Sequence, residues 1–330
     1  MTGNGGLLFG LSVLAACGAM AGLMIGYIPY GVGDVIQGLA GTGDARIAAI
    51  VREVRLPRAL LGLEIGAALG LAGAAMQGLL RNPLAEPGLV GVSASAGLGA
   101  VVAFHFGIAT ATSWGLPVSA MIGAGATTLL LLAIARRTTG TLTLILSGVA
   151  ISSLAVALTS LVLNLAPNPY ALSEMLLWLM GSLKDRSMDH VLLILPFLLA
   201  GGMLVLLAGR GLDALTLGED GAQTLGINLR RLRATVILAT ALLVGGAVAV
   251  SGSIGFIGLV VPHMLRPFVG HEPRRLLLPS ALAGAALLVL ADVVARTLPT
   301  NQEVMVGVVT ALLGAPFFLV LVLRTNRRPA

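Results

Sequence analysis

One lysine, one cysteine, two tryptophans and four histidines are all that this 330-residue chain contains of those types, and only 10% of its residues are charged. Each scarcity excludes something. The lone lysine, Lys184 in SLKDR, leaves no G-x-x-x-x-G-K-[ST] loop, so the chain cannot hydrolyse a nucleotide by that route. The lone cysteine, Cys17, rules out an intrachain disulfide and any C-x-x-C metal or redox site. His271-Glu272 has no second histidine at the zincin spacing. No acidic cluster suited to magnesium and diphosphate is present. The serines of GVSASAG have no adjacent histidine to serve as base. Catalysis by this chain, a metal site and a bound cofactor are therefore not expected.

What is present in quantity is apolar sequence. Hydrophobic residues make up 57% and mean hydropathy is +1.00. A span needs roughly 20 mostly apolar residues. Ten stretches meet or approach that length, at 6–29, 59–80, 88–108, 115–135, 142–165, 191–209, 234–253, 254–270, 276–298 and 304–324. The eighth is the weakest, being short and carrying Pro262, His263 and Arg266. Residues 172–183 are too short to span and read as an interfacial helix. The runs lack the alternation of a membrane barrel, so the expected fold is all-α. No soluble domain is expected, and residues 1–330 read as one membrane domain. LAAC at 14–17 resembles a lipoprotein box, but no basic residue precedes it, so an uncleaved first helix is expected.

Orientation follows from loop charge. With both termini inside, the outer side holds Arg46, Arg52, Arg55, Arg58, Lys184, Arg186 and Arg296, seven of the 20 basic residues, which leaves thirteen inside. That bias favours N-in and C-in. It also makes the net charge of +6 a topology signal rather than a sign of nucleic acid, which is not an expected partner. Four of the outer exceptions cluster at 46–58, a local violation that asks for a functional cause.

Other features have plain readings. Gly62, Gly66, Gly70, Ala74 and Gly78 share one helical face and are expected to pack within the subunit. The 44 glycines imply dense packing, with unwound segments expected at 90–99 and 251–260. Asp292 and Arg296 are spaced for an i,i+4 pair. Glu64 has no local partner and is expected beside a water-filled cavity rather than in a proton relay. His105 and His190 read as interfacial hydrogen-bonders.

Six motifs then converge: RLPRALL (55–61), RNPLAEPGLVGVS (81–93), LGEDGAQTLG (217–226), SGSIGFIGLVVPHMLR (251–266), ADVVAR (291–296) and GVVTALLGAPFFL (307–319). In this order and spacing the chain closely resembles the permease subunits of type II ABC importers, which take up iron-siderophores, cobalamin and haem. The resemblance runs from about residue 50 to the C-terminus. It implies a ten-helix subunit in the bacterial inner membrane, working as a homodimer with the substrate path on the two-fold axis. Two cytoplasmic ATPase subunits would use ATP and magnesium, and a periplasmic binding protein would cap the outside.

The resemblance also assigns residues. Arg55, Arg58 and Arg296 would face glutamates on the two lobes of the binding protein. Asn82, Leu84, Thr141 and Leu142 would form the cytoplasmic gate. The loop 209–233 would couple to the ATPase through Gly218, Glu219, Ala222, Gln223 and Gly226, with Ala222 and Gly226 small enough to enter a groove there. Arg230, Arg231 and Arg233 read as membrane anchors. The texture is most like haem-importer permeases, with a ferric siderophore or cobalamin as alternative cargo. The rival class, a proton-coupled secondary transporter, would need more mid-membrane ionisable residues and an inverted repeat. A channel would need rings of pore charge.

Overall fold

An apolar run in lipid has no water to bond its N–H and C=O groups, so it satisfies them internally as a helix. The computed structural model describes residues 4–112, 114–137, 141–300 and 302–325, and among them there is no strand. Fifteen α-helices follow in order: α1 Asn4–Met24, α2 Val32–Ala40, α3 Ala45–Ala49, α4 Leu56–Leu80, α5 Val92–His105, α6 Ile108–Ala111, α7 Gly115–Arg137 and α8 Thr141–Asn164. Then come α9 Pro169–Leu179, α10 Met188–Leu215, α11 Glu219–Thr224, α12 Leu229–Ser251, α13 Ile257–Leu265, α14 Pro273–Thr297 and α15 Val306–Thr325.

Among the described residues, seven helical runs are long and apolar enough to cross a membrane: Gly5–Met24, Ala45–Leu80, Gly115–Arg136, Leu142–Asn164, Met188–Leu215, Leu229–Ser251 and Pro273–Thr297. Of the other three expected spans, α15 forms a helix of 20 residues, while α5 and α13 are shorter. α5 begins only after Gly91, a left-handed residue that closes a short 3-10 turn at Pro87–Val90. The expected unwinding at 90–99 is therefore confined to its start. α13 has nine residues, about 14 Å of helix, and cannot cross the roughly 30 Å apolar layer alone. The break that shortens it was expected at 251–260 and falls at 252–256, between α12 and α13.

α4 is the axis of the packing. It continues from α3 through a π-helical turn at Ile50–Arg55, where Leu56 N–H bonds Val51 C=O. Pro57 follows and brings no N–H, which favours a re-paired turn at this point. Its glycine face meets α14, as expected of packing within one subunit. A Cβ on Gly66 would collide with the Gly284 carbonyl, and one on Gly70 with the Ser280 carbonyl. Leu61, Ile65 and Met76 fill the core beside them. Helix-interior glycine costs about 1 kcal/mol against alanine, and the close backbone approach offsets it. α8 is the opposite case. Only 11% of its apolar window is buried, and Leu146, Leu154 and Leu161 are exposed.

Short segments tie the bundle together. Ser182 N–H bonds the Ser251 carbonyl at 2.7 Å, and Gly307 N–H bonds Gly181 at 3.1 Å. Two helix starts are capped by carboxylates from distant sequence. Glu86 accepts from Phe256 N–H at 3.0 Å, before α13. Asp213 accepts from Arg274 N–H at 2.8 Å, in the first turn of α14. A carboxylate is favoured there because helix N-termini carry unpaired N–H groups and a partial positive charge.

Candidate functional site

Three arginines gather at one end of the bundle, called here the Arg58 end. Arg55, in the turn leading into α4, reaches back to the end of α1. Its guanidinium donates to the carbonyls of Leu23 at 2.7 Å, Met24 at 2.9 Å and Ile28. It also lies over the Tyr30 ring, 4.2 Å from the centroid. The Leu23 and Met24 carbonyls lie at the C-terminus of α1, where they have no intrahelical partner and a cation suits them. Arg296 Nη1 takes the neighbouring Gly22 carbonyl at 3.2 Å.

Arg58 lies one turn further along α4. It grips Asp292 of α14 through Nη2 to Oδ1 at 2.8 Å and Nε to Oδ2 at 2.9 Å. Its outward edge pairs with Glu303, Nη1 to Oε2 at 3.3 Å and Nη2 to Oε1. Asp292 is shared, because Arg296 Nε stands 3.2 Å from Oδ2 as the i,i+4 pair expected from the sequence. A cavity of about 740 Å³ opens beside this network, lined by Tyr27, Tyr30, Arg55, Arg58, Arg296 and Glu303 among others. Three cations against two carboxylates leave one positive charge in surplus.

The three arginines expected to dock a binding protein thus each have partners within the chain. Arg55 is 6% exposed and Arg58 8%, and both guanidiniums already hold internal partners. The exposed cations of the 46–58 cluster are Arg46 and Arg52, and Arg52 itself donates to the Leu39 carbonyl at 2.6 Å. Glu303 was missed by sequence reasoning; its signal is a single acid in NQEVM, just before α15. Nearby, in the 181–187 loop, burial pulls the Arg186 guanidinium below its ordinary pKa, opposed by Asp185.

The opposite end carries the other assigned residues. Gly218 has φ +94 and ψ 167, a backbone region open essentially to glycine alone. It is the residue before α11. Glu219 then pairs with Arg233 of α12, Nη2 to Oε1 at 2.7 Å. Arg233 is buried, so it is a clasp for α11 rather than a membrane anchor, while Arg230 and Arg231 remain exposed. Ala222 is also corrected. It is fully buried within the chain, because α11 must turn one face inward to sit on the bundle. The outward residues include Gln223, Gly226 and two leucines absent from the expectation, Leu217 at 68% and Leu225 at 62% exposure.

At the same end, Arg81 closes α4 in a left-handed conformation with φ 50. Asn82 is exposed and its Oδ1 accepts from Leu84 N–H at 2.9 Å, while Leu84 is half-buried. Leu142 is 68% exposed at the start of α8. Thr141 opens that helix, and its side chain lies outside the described residues. Gln77 ties the end of α4 to α13: its Oε1 accepts from Arg266 Nη2 at 2.7 Å and its Nε2 donates to Leu259 C=O at 3.2 Å.

The remaining candidates stay apart. Glu64 is half-buried, and its Oε2 has no hydrogen-bond partner among the described residues. His105 stands edge-on to Phe106, ring centroids 5.0 Å apart. His190 Nδ1 accepts from Ser187 N–H at 3.2 Å, in the first turn of α10. Among the described residues no group of His, Cys, Asp or Glu is arranged to hold a metal ion.

The fold and these two ends define a multi-pass membrane permease, and comparison with known proteins places it. A profile of the FecCD transport family matches residues 13–324. The chain is 42% identical over 295 residues to the uncharacterized ABC transporter permease protein YvrB of Bacillus subtilis, covering 88% of this chain and 83% of that one. It is 42% identical over 280 residues to the hemin transport system permease protein HmuU of Yersinia pestis, covering 84% of each. It is 40% identical over 324 residues to the vitamin B12 import system permease protein BtuC of Salmonella typhi, covering 97% and 95%. A solved structure of an inward-facing metal-chelate type ABC transporter superposes with a TM-score of 0.87 at 35% identity, covering 96% and 98%. The chain belongs to the FecCD family and is a permease of the type II ABC importer class.

Proposed function

We propose that this chain is the membrane subunit of an ATP-driven importer, paired with a second copy of itself, that receives cargo at its Arg58 end. The observation that carries this reading is the joint placement of a cavity with surplus positive charge at one end and a short helix flanked by exposed leucines at the other. The first suits an acidic protein surface, through charge complementarity that steers and orients docking. The second offers Leu217 and Leu225 to a groove on an ATPase. In this reading the Arg58 end faces the periplasm, both termini lie in the cytoplasm, and the membrane is the bacterial inner membrane. ATP and magnesium belong to the two partner ATPase subunits.

The exposed apolar face of α8 supports the homodimer, with the path on the two-fold axis. Asn82, Leu84, Thr141 and Leu142 would then meet their copies at the cytoplasmic mouth, where an apolar constriction closes by shedding water. All ten apolar segments are counted as crossings, with α13 completing its crossing through the 252–256 segment.

The cargo we propose is haem, passed without coordination to this chain. A hemin relative and a vitamin B12 relative stand at nearly equal identity, so the decisive experiment compares cargoes. Permease, ATPase and binding protein are assembled in vesicles with ATP inside, and uptake of haem, cobalamin and a ferric siderophore is measured. Haem uptake above the other two is expected. Robust uptake of cobalamin or siderophore without haem overturns the cargo and leaves the importer reading standing. No ATP-dependent uptake of any of the three overturns both.

A further inference from the structure

We infer that Glu303 is an exchangeable carboxylate: it occupies the outward edge of Arg58 while the permease is free, and yields that place to an acidic side chain of the docking protein. The inference rests on the docking reading above.

The two carboxylates on Arg58 are unequal. Asp292 stands on a continuous helix, its side chain is 3% exposed, and it is held by two arginines. Glu303 stands just before α15, its side chain is 24% exposed, and its two carboxylate oxygens accept from Arg58 Nη1 and Nη2. Asp292 takes Nε and one edge of Nη2. Glu303 takes what remains, Nη1 and the other side of Nη2. That remaining edge is the one turned to the cavity.

An incoming carboxylate that is to meet Arg58 must therefore use donors already engaged by Glu303. A planar guanidinium presents two bidentate edges at most, and one is committed to Asp292. The contest is between a partly exposed internal acid and an external one. The external acid also gains the fields of Arg55 and Arg296, which line the same cavity. Solvent-accessible pairs are weak and readily exchanged, whereas a buried shared pair is not. Glu303 thus keeps the cavity from holding stray anions and lowers docking affinity to a level from which the binding protein can leave.

The test uses the intact permease–ATPase complex in nanodiscs and the binding protein encoded in the same operon. Docking affinity is measured at low and high salt for the parent chain and for Glu303→Gln. A spin label at Gln302→Cys, in a Cys17→Ser background, reports the loop. Expected are about threefold to tenfold tighter docking and a steeper salt dependence for Glu303→Gln. The label should loosen when the binding protein is added to the parent, and should be loose beforehand in Glu303→Gln. Thermal stability of each complex is followed in parallel. Unchanged or weaker docking in a Glu303→Gln complex of parental stability overturns the exchange. If that variant is unstable, the parent's label decides, and a label unmoved by docking overturns it. Salt-independent docking of the parent instead overturns the electrostatic docking reading itself.

Discussion

Glu219 and Arg233, fourteen residues apart, close the 209–233 segment on itself with a 2.7 Å ion pair. The guanidinium is almost wholly buried and the carboxylate partly so. The pair holds the start of α11 against the first turn of α12, so the short helix is carried by α12 rather than hanging from a flexible loop.

Replacing Arg233 with alanine should therefore detach α11 without unfolding the bundle. Losing one partner of such a bond costs about 1–3 kcal/mol. The expected result is a complex that still forms but couples ATP hydrolysis poorly to uptake. Normal transport per ATP in Arg233→Ala would show that this clasp plays no part in coupling.

Sidedness can be read with two cysteines. In a Cys17→Ser background, Asp185→Cys and Leu217→Cys both present exposed positions, at opposite ends of the bundle. A membrane-impermeant maleimide on intact cells should label the first and spare the second. Labelling of both, or of position 217 alone, would reverse or break the N-in, C-in arrangement.

The α4–α14 contact predicts a sharp contrast between glycines. A Cβ at Gly66 meets the Gly284 backbone, whereas Gly125 on α7 has nothing within 4 Å. Gly66→Val should force the helices apart and cost about 1–3 kcal/mol or more. Gly125→Ala should be neutral or stabilise by about 0.4–1 kcal/mol. Thermal unfolding of the two purified variants checks this, and equal melting temperatures would contradict the close packing.

Passage without ligation predicts tolerance at His105 and His190. His190 is already engaged by Ser187 and His105 packs on Phe106. The double change His105→Ala with His190→Ala should reduce haem uptake by less than about threefold, under ~0.7 kcal/mol of barrier. Loss of uptake with intact assembly and ATPase activity would mean that the chain ligates iron.

Helices were legible wherever hydropathy alone decides, as for α7, α8 and α12. Length misled at α5 and α13, because Gly91 and the 252–256 break interrupt apolar sequence that hydropathy reads as continuous. The Asp292–Arg296 pair was legible from its four-residue spacing. Its third and fourth members, Arg58 and Glu303, were not, since 234 residues separate Arg58 from Asp292 and only packing brings them together. The direction in which a side chain faces was equally hidden. Ala222 looked like a contact because it is small, yet smallness served an inward position. The exposed leucines at 217 and 225 read as ordinary members of an apolar chain until the backbone turned them outward.

α14 is gripped near both ends by groups from other elements: Asp213 holds its first turn and Arg58 holds Asp292 near its last. Eighteen residues, from Arg274 to Asp292, about 27 Å of helix, separate those grips. Pro279 removes one backbone hydrogen bond between them, so the helix has one compliant point on the side of Asp213. An axial displacement carried past it would shift the Asp292 carboxylate, and so how firmly the guanidinium above it is held. The two ends of the bundle are joined by one helix whose grips belong to other elements.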